Sequence, residues 1–347
     1  MPNFDTGHYF LTTLAPIKRG TTLDERGINV SYEQNVRALL AKLPTALQSP
    51  ATEAIGINSP FARNLRTHFS RFMVLEDVIY NGRTRSDAII SSIFNKDPIV
   101  PQEVDRLNCA YLMFTADFDA VLREGDALPE ELAEAEQDNV RNAYARRLWD
   151  TMQAELQEIY SNCVGFDTVK TADDFADYIR RCQVETTMPF NDYWLKAPNL
   201  ARLPVTGLLA AILVPLVPTL LALVSWIFHM DSLPLLGLPS GATFIFGAIA
   251  TAVATWLVYR YVMSHGEQPM PPGEYADLPA VLKSLYLQQT FSEFVIDAQG
   301  KNAAELHQAF GEFVTRHQPN NKMSPTQVPG VISIKRDNAI HKSEQGA

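Results

Sequence analysis

His68 and Arg71 are the first candidates for chemistry in this sequence. They lie in the run THFSRF at positions 67–72. Alternation along a strand predicts His68 and Ser70 on one face and Arg71 on the other. A histidine and an arginine on adjacent central strands can hold an anionic substrate or a haem. The structural alternative is that His68 is a hydrogen-bonded strand residue and that Arg71 pairs with a carboxylate, either Asp117 or Asp119.

Asp117 and Asp119 form the second candidate pair, because they project to the same face at the end of a predicted strand. Paired carboxylates can perform acid–base work or bind a cation. Two acids at a strand end are also common as turn formers or as arginine partners. Arg180 and Gln183, near the end of a later predicted helix, are further ligand-binding candidates, or part of a structural network around the two aspartates.

Recognisable catalytic and metal-binding motifs are missing from the sequence. It contains no glycine-rich phosphate loop, HExxH, GxSxG or Walker motif. Three widely spaced cysteines without a CxxC exclude a disulfide framework and a zinc-ligand pattern, and they indicate free thiols in a reducing compartment. We therefore predict no metal site, since the other histidines show no ligand spacing: His8, His229, His265, His307, His317 and His341.

The overall charge excludes one class of partner. The chain of 347 residues carries a formal net charge of −10, and its basic residues are scattered. Nucleic-acid binding needs clustered Lys and Arg to neutralise phosphates, so no nucleic-acid partner is expected. The same acidity argues against broad electrostatic adhesion to anionic lipid.

Two long apolar stretches dominate the second half of the chain. Residues 203–228 and 232–259 contain no charged side chain, and each is long enough to cross a hydrocarbon core of about 30 Å. We predict a transmembrane hairpin over 203–262, with spans at 203–228 and 240–262. The connection 229–240 lacks Lys and Arg, so the positive-inside rule predicts an inner-membrane protein with both termini in the cytoplasm. The charge-free stretches 203–228 and 232–259 argue against transport.

Residues 1–196 are predicted to form an α+β domain. Strand patterns occur at 9–17, 67–79, 110–119 and 184–194. A helix starts after Ser31, another carries apolar residues from Tyr144 to Cys163, and a third follows Thr171. The order β-α-β-β-α-(α)-β is that of the ferredoxin-like split βαβ arrangement.

The chain after the hairpin is predicted to be a smaller βαβ segment over 274–334. Its expected elements are a helix at 278–287, a strand at 290–297, a helix after Asn302 and a strand at 328–334. Half a ferredoxin-like unit cannot bury its own sheet, so we expect it to dock on the first domain. The polar residues 335–347 are expected to be a disordered tail.

The runs HFSRFMVL, LMFTADFD and YIRRCQVETT carry a resemblance to a largely uncharacterised bacterial family. Its members have an H-F-A-R-F strand, an L-F-x-[AS]-[ND]-[FY]-D strand and an I-R-x-x-Q-[VI]-x-T segment, and the likeness covers roughly residues 9–194. Some members accompany peroxidase- or catalase-like sequences. Here Ser70 replaces the family's alanine, and Thr186 and Thr187 follow Glu185; neither departure touches His68, Arg71 or Asp119.

The ferredoxin-like order also resembles the dimeric α/β-barrel superfamily, which includes haem enzymes and small monooxygenases, although fold does not fix function. Two functions follow as expectations. The first is a membrane-anchored cytoplasmic binding or interaction domain of unknown ligand, without catalysis of its own. The alternative is a haem- or redox-associated enzyme, with His68 as ligand or acid–base group and Arg71 on an anion. The expected partners are the lipid bilayer and a second copy, through the sheet or the hairpin.

Overall fold

The computed structural model describes residues 3–76, 107–186, 198, 202–228 and 239–331. The chain divides into two compact units. The larger consists of Pro2–Leu195 together with Pro271–Ala347, and the smaller is essentially Lys196–Met270. The protein is therefore mixed α+β, with an antiparallel sheet in one unit and two long apolar helices in the other.

An antiparallel sheet forms the frame of the larger unit. Its three long strands pair side by side, and two short strands both pair with the first of them. A separate two-stranded ribbon precedes the first helix. The sheet contains β1 (Phe4–Asp5), β2 (His8–Pro16), β5 (Thr67–Leu75), β6 (Tyr111–Asp119) and β7 (Gln183–Val184), and the ribbon contains β3 (Thr21–Leu23) and β4 (Asn29–Ser31).

The strands predicted at 9–17, 67–79 and 110–119 are confirmed by β2, β5 and β6 within the described residues. Each owes its form to β-branched and aromatic side chains in alternation. Residues 77–79 and 187–194, the ends of two predicted strands, lie outside the described residues. The last predicted strand is represented by β7 alone.

The helices of this unit begin where the sequence provides side-chain caps. Ser31 accepts a hydrogen bond from the backbone N–H of Gln34. Thr171 and Asp174 cap the helix Ala172–Cys182 reciprocally. The longest helix is interrupted at Met152, whose backbone is non-helical. The helices before the apolar pair are α1 (Tyr32–Lys42), α2 (Pro50–Ile55), α3 (Glu134–Tyr160) and α4 (Ala172–Cys182), with 3-10 turns at Pro60–Arg63 and Phe166–Thr168.

A single aromatic core lies between one face of the sheet and helices α3 and α4. Phe118 of β6 stacks on Tyr144 of α3 with ring centroids 3.6 Å apart. Phe114 packs against Phe61 and Phe72 in the same core. Phe61, Phe114, Phe118 and Tyr144 are almost entirely buried, so their transfer from water stabilises the unit.

The segment after residue 270 corrects the prediction of a βαβ unit. Residues 290–297, predicted as a strand, form the second half of a single helix, α7 (Leu278–Asp297), which is followed by α8 (Ala303–His317). Phe291 and Phe294 lie three residues apart and both pack on Phe313 of α8. This helical spacing places both rings on one face, so burial against α8 decides the conformation over local strand preference.

The predicted strand at 328–334 is reduced, within the described residues, to a single bridge between Val331 and Leu47. Nearby, the side chain of Asn58 donates to the carbonyl of Pro329 over 2.7 Å. These contacts belong to the same compact unit as the sheet. Residues 332–334 and the predicted tail 335–347 lie outside the described residues.

The smaller unit contains α5 (Val205–Ile227) and α6 (Ser240–Gly266), both long and apolar enough to cross a membrane, with mean hydropathies of 2.5 and 1.8 over their most apolar windows. They pack closely at Gly247, where a Cβ would overlap the hydroxyl of Thr219. Small residues at such a point let two helix backbones approach.

Candidate functional site

Strand register builds the candidate site at one end of the sheet. Antiparallel pairing of β2 with β6 places His8 opposite Asp119 and Phe10 opposite Asp117. Side chains of directly opposed residues share a face of the sheet. Since the neighbouring Phe118 points into the aromatic core, the two aspartates and His8 lie on the opposite face.

A β-bulge brings His68 into this group. The pairing of β5 with β6 shifts between Thr67, opposite Phe118, and Phe69, opposite Asp117, which leaves His68 as the extra residue. Its side chain reaches Asp119, on the face that carries Phe69. The prediction that His68 shares a face with Ser70 is therefore wrong, because simple alternation fails at a bulge.

The resulting cluster of His8, His68, Asp117 and Asp119 is compact and buried. His68 Nε2 lies 2.7 Å from Asp119 Oδ1, within hydrogen-bond distance. His8 Nδ1 lies 3.7 Å from Asp119 Oδ1 and 4.0 Å from Asp117 Oδ1. The two imidazole rings meet edge to face with centroids 4.8 Å apart. His8 and Asp119 are fully buried, and the His68 side chain is 15 % exposed.

The start of α7 closes one side of the cluster. The backbone N–H of Leu278 donates to Asp119 Oδ2 over 2.9 Å, so the two oxygens of this carboxylate have different partners. The positive end of the helix dipole favours a negative charge at that position. Asp277, just before the helix, accepts a hydrogen bond from Lys322 over 2.8 Å.

The cluster retains protons near neutral pH. Burial raises the pKa of Asp117 to about 6; the charge of Asp119 adds to the shift, and His68 opposes it. Burial by itself lowers the pKa of His68, but the hydrogen bond and charge of Asp119 outweigh it, with help from Asp117 and Asp277, and the pKa is raised. Both side chains therefore bind a proton more readily than they would in water.

Asp117 keeps an oxygen without a donor. Its side chain is 10 % exposed, and among the described residues no hydrogen-bond donor reaches Asp117 Oδ1. A buried carboxylate oxygen in this state is costly unless it is protonated or an ion supplies the missing charge. This oxygen faces His8 Nδ1 across the 4.0 Å gap.

Three of the predicted site residues lie away from the cluster. Arg71 lies over the ring of Phe69 at 5.3 Å, and in the described part of the chain it makes no ion pair with an aspartate. Arg180 pairs with Asp177 on its own helix. Gln183 donates to the hydroxyl of Tyr9 and accepts from Arg141. The suggested network of these residues around the two aspartates is wrong, because β7 pairs with the far part of β2.

His8 is the member that sequence reasoning missed. It stands 60 positions before His68 in the chain, a separation with no resemblance to a local ligand motif. The available signal was its place at the start of a predicted strand, combined with Asp119 at the end of another. Converting that signal into a contact requires the strand register, which single-sequence patterns do not specify.

Elsewhere in the larger unit, a cavity of about 450 Å³ lies between residues 58–65 and the segment 279–329. Its wall is mainly apolar and includes Leu65, Leu282 and Met323. The cations at its edge are already paired, Arg63 with Glu155 and Lys322 with Asp277. The His–Asp cluster is therefore the better candidate for recognition of a charged ligand.

The cluster has the composition of a metal site. His8, His68 and Asp119 each offer one ligand atom, and these atoms lie within 4.8 Å of one another.

In comparisons with known proteins, no family model, no curated protein and no solved structure matches the chain. The geometry of its own residues is thus the basis for any assignment of function.

Proposed function

We propose that the protein is a membrane-anchored binding protein, in which α5 and α6 hold a folded α+β domain at the lipid bilayer. The observation that carries this proposal is the exposure of large apolar side chains along both helices, including Val214 at 72 % and Phe246 at 68 %. Only 11 % and 6 % of the most apolar windows of α5 and α6 are buried. Water is a poor solvent for such a surface, whereas lipid is a good one.

The chain path supports a two-span hairpin. Residues before α5 and after α6 belong to one compact unit, which supports a common side of the bilayer for both. An even number of crossings satisfies this condition and a single crossing does not. Arg202 precedes α5 and Arg260 lies near the end of α6, so the positive-inside rule supports a cytoplasmic location for this side of an inner membrane.

We further propose a ferredoxin-like arrangement for the domain. The pairings support the spatial order β7, β2, β6, β5, with every neighbouring pair antiparallel. In chain order these are the fourth, first, third and second of the main strands. Helix α1 lies between the first and second, and α3 and α4 lie between the third and fourth, as in a split βαβ pattern.

The binding role rests on the cluster of His8, His68, Asp117 and Asp119, which gathers four ionisable side chains at one end of the sheet. The haem- or redox-associated enzyme stays a prediction. His68 Nε2 is already bound to Asp119, and His8 covers the ring edge. A haem at His68 would have to displace both contacts.

Membrane fractionation of the full chain tests the anchor. We expect it to stay in the pellet after extraction with alkaline carbonate and to dissolve only in detergent. Release by carbonate would overturn the proposal. Reporter fusions at the two termini test the hairpin separately: both should report the cytoplasm, and opposite locations would exclude two spans.

A further inference from the structure

The geometry points to a divalent transition-metal site formed by His8, His68 and Asp119, with Asp117 as the fourth ligand. This inference deepens the proposed function, because it names the class of ligand that the domain binds. It differs from the sequence-based expectation of no metal site, which stays a prediction. His8 comes from β2, His68 from β5, and Asp117 and Asp119 from β6. The ligands that lie on different strands are far apart in the sequence.

The separations of the ligand atoms are close to those that a metal ion requires. Nitrogen and oxygen ligands about 2.1 Å from a tetrahedral ion lie about 3.4 Å from one another. His8 Nδ1 is 3.7 Å from Asp119 Oδ1 and 4.0 Å from Asp117 Oδ1. His68 Nε2, at 2.7 Å from Asp119 Oδ1, has to move away by less than 1 Å, roughly, to admit an ion.

The ligand chemistry selects the class of ion. Two imidazoles and two carboxylates suit Zn²⁺ and its first-row neighbours, whereas Mg²⁺ and Ca²⁺ prefer shells made of oxygen. Two carboxylates also balance the charge of a divalent ion in a buried setting, and neutral imidazoles add ligands without adding charge.

The surroundings hold the central carboxylate in a position suited to binding. Leu278 N–H holds Asp119 Oδ2, which directs Oδ1 toward both imidazoles. Such contacts outside the ligand shell fix the orientation of ligands and strengthen metal binding. Asp117 Oδ1, buried and without a donor among the described residues, is the second and independent feature that calls for a cation.

The competing explanation is a purely structural network that ties β2 and β5 to the start of α7. Both explanations fit the hydrogen bond between His68 and Asp119, so stability measurements alone do not separate them. The two explanations differ in how many metal ions they expect each chain to bind. A structural network binds none, and a metal site binds one per chain.

The direct test uses the full chain in detergent, freed of any histidine tag and stripped with a chelator. Zn²⁺ and Co²⁺ are the probes, with Mg²⁺ for comparison. We expect one equivalent of Zn²⁺ to bind, Co²⁺ to give a visible ligand-field spectrum, and Mg²⁺ not to compete. Absence of stoichiometric Zn²⁺ and Co²⁺ binding to the folded wild-type chain would overturn the inference.

Conservative variants assign the ligands. Asp119→Asn keeps an acceptor for Leu278 N–H, and His68→Gln keeps a polar side chain; each should weaken Zn²⁺ binding by at least about 100-fold, because even residues outside the ligand shell cost 10–100-fold. The matched controls, Asp150→Asn and His307→Gln, alter exposed residues and should leave affinity unchanged. Equal affinity in all four variants would overturn the assignment.

A measurement on the wild-type chain covers the case in which a variant does not fold. X-ray absorption at the zinc edge should report nitrogen and oxygen ligands with the scattering pattern of imidazole. Sulfur ligands, or an all-oxygen shell without imidazole, would overturn the site. Membrane retention is measured in the same preparations. If the chain stays in the membrane but binds no metal ion, the result contradicts the metal site and leaves the proposed anchor standing.

Discussion

The two units of this protein are built with opposite interiors. In the α+β unit the aromatic rings are inside, with Phe114 and Phe118 almost completely buried. In the helix pair the buried positions are small or polar, such as Ala222 and Thr219, and the large side chains point outward. Thr219 donates to the Pro215 carbonyl one turn earlier.

This difference indicates that the surrounding solvent decides which side chains are buried in each unit. In water, burial of apolar area is the driving force, so rings collect inside. In lipid, that force is missing between helices, and close approach of small residues with satisfied hydroxyls takes its place. The following measurements test whether the two units obey these separate rules.

The largest expected difference in stability comes from making the same substitution, phenylalanine to alanine, in each of the two units. Phe114→Ala, at 1 % exposure beside Phe61 and Phe72, should destabilise the α+β unit by about 3–5 kcal/mol, because it leaves a cavity. Phe246→Ala, at 68 % exposure, should cost less than about 1 kcal/mol. Thermal unfolding of both full-chain variants in detergent measures the contrast, and equal losses would contradict it.

A smaller effect is expected at the contact between α5 and α6. Gly247→Val should cost about 1–3 kcal/mol of helix-pair stability, because its side chain overlaps Thr219. Ala252→Val, on the exposed side of the same helix, is the control and should be nearly neutral. Unfolding by SDS, followed by the fluorescence of Trp226 stacked on Phe244, reports the pair. A neutral Gly247→Val would show that the helices do not depend on this approach.

The smallest effect tests how dry the α+β interior is. Burial raises the pKa of Cys163 to about 12 from its ordinary 9.0, with Cys182 adding to the shift and Lys18 opposing it. The folded state therefore keeps a proton that the unfolded state loses. The stabilising contribution is complete below pH 9 and is lost as the pH rises toward 12, by about 1.4 kcal/mol at pH 10.

Comparison of wild type with Cys163→Ala between pH 8 and pH 10 measures this contribution. The stability of the wild-type chain should fall more steeply with pH than that of the variant. Native Cys163 should also resist alkylation at pH 9, since little thiolate forms. The same pH dependence in both proteins would mean that water reaches this part of the interior.

Prediction from sequence succeeded where one short pattern decided the outcome. Alternating side chains predicted β2, β5 and β6, and Thr171 with Asp174 marked the start of α4. It failed at residues 290–297, whose letters fit both a strand and a helix. There the contacts of Phe291 and Phe294 with α8 are long-range and decide the conformation.

The candidate site shows the same limit. Of the residues chosen from the sequence, His68 and Asp119 lie within hydrogen-bond distance of each other, whereas Arg71, Arg180 and Gln183 contact other residues. A single extra residue in β5 reverses which face His68 joins. No feature of the residues around His68 marks that bulge in advance, because it arises from pairing with β6.

The sequence by itself determined β2, β5 and β6, the starts of α1 and α4, and the two helices apolar enough for a membrane, because each depends on the spacing and type of nearby residues. The tertiary structure alone decided the cluster of His8, His68, Asp117 and Asp119. Strand register, a bulge and the position of the α7 N-terminus bring these residues together. Such contacts join distant parts of the chain, and packing of the whole unit is what sets them.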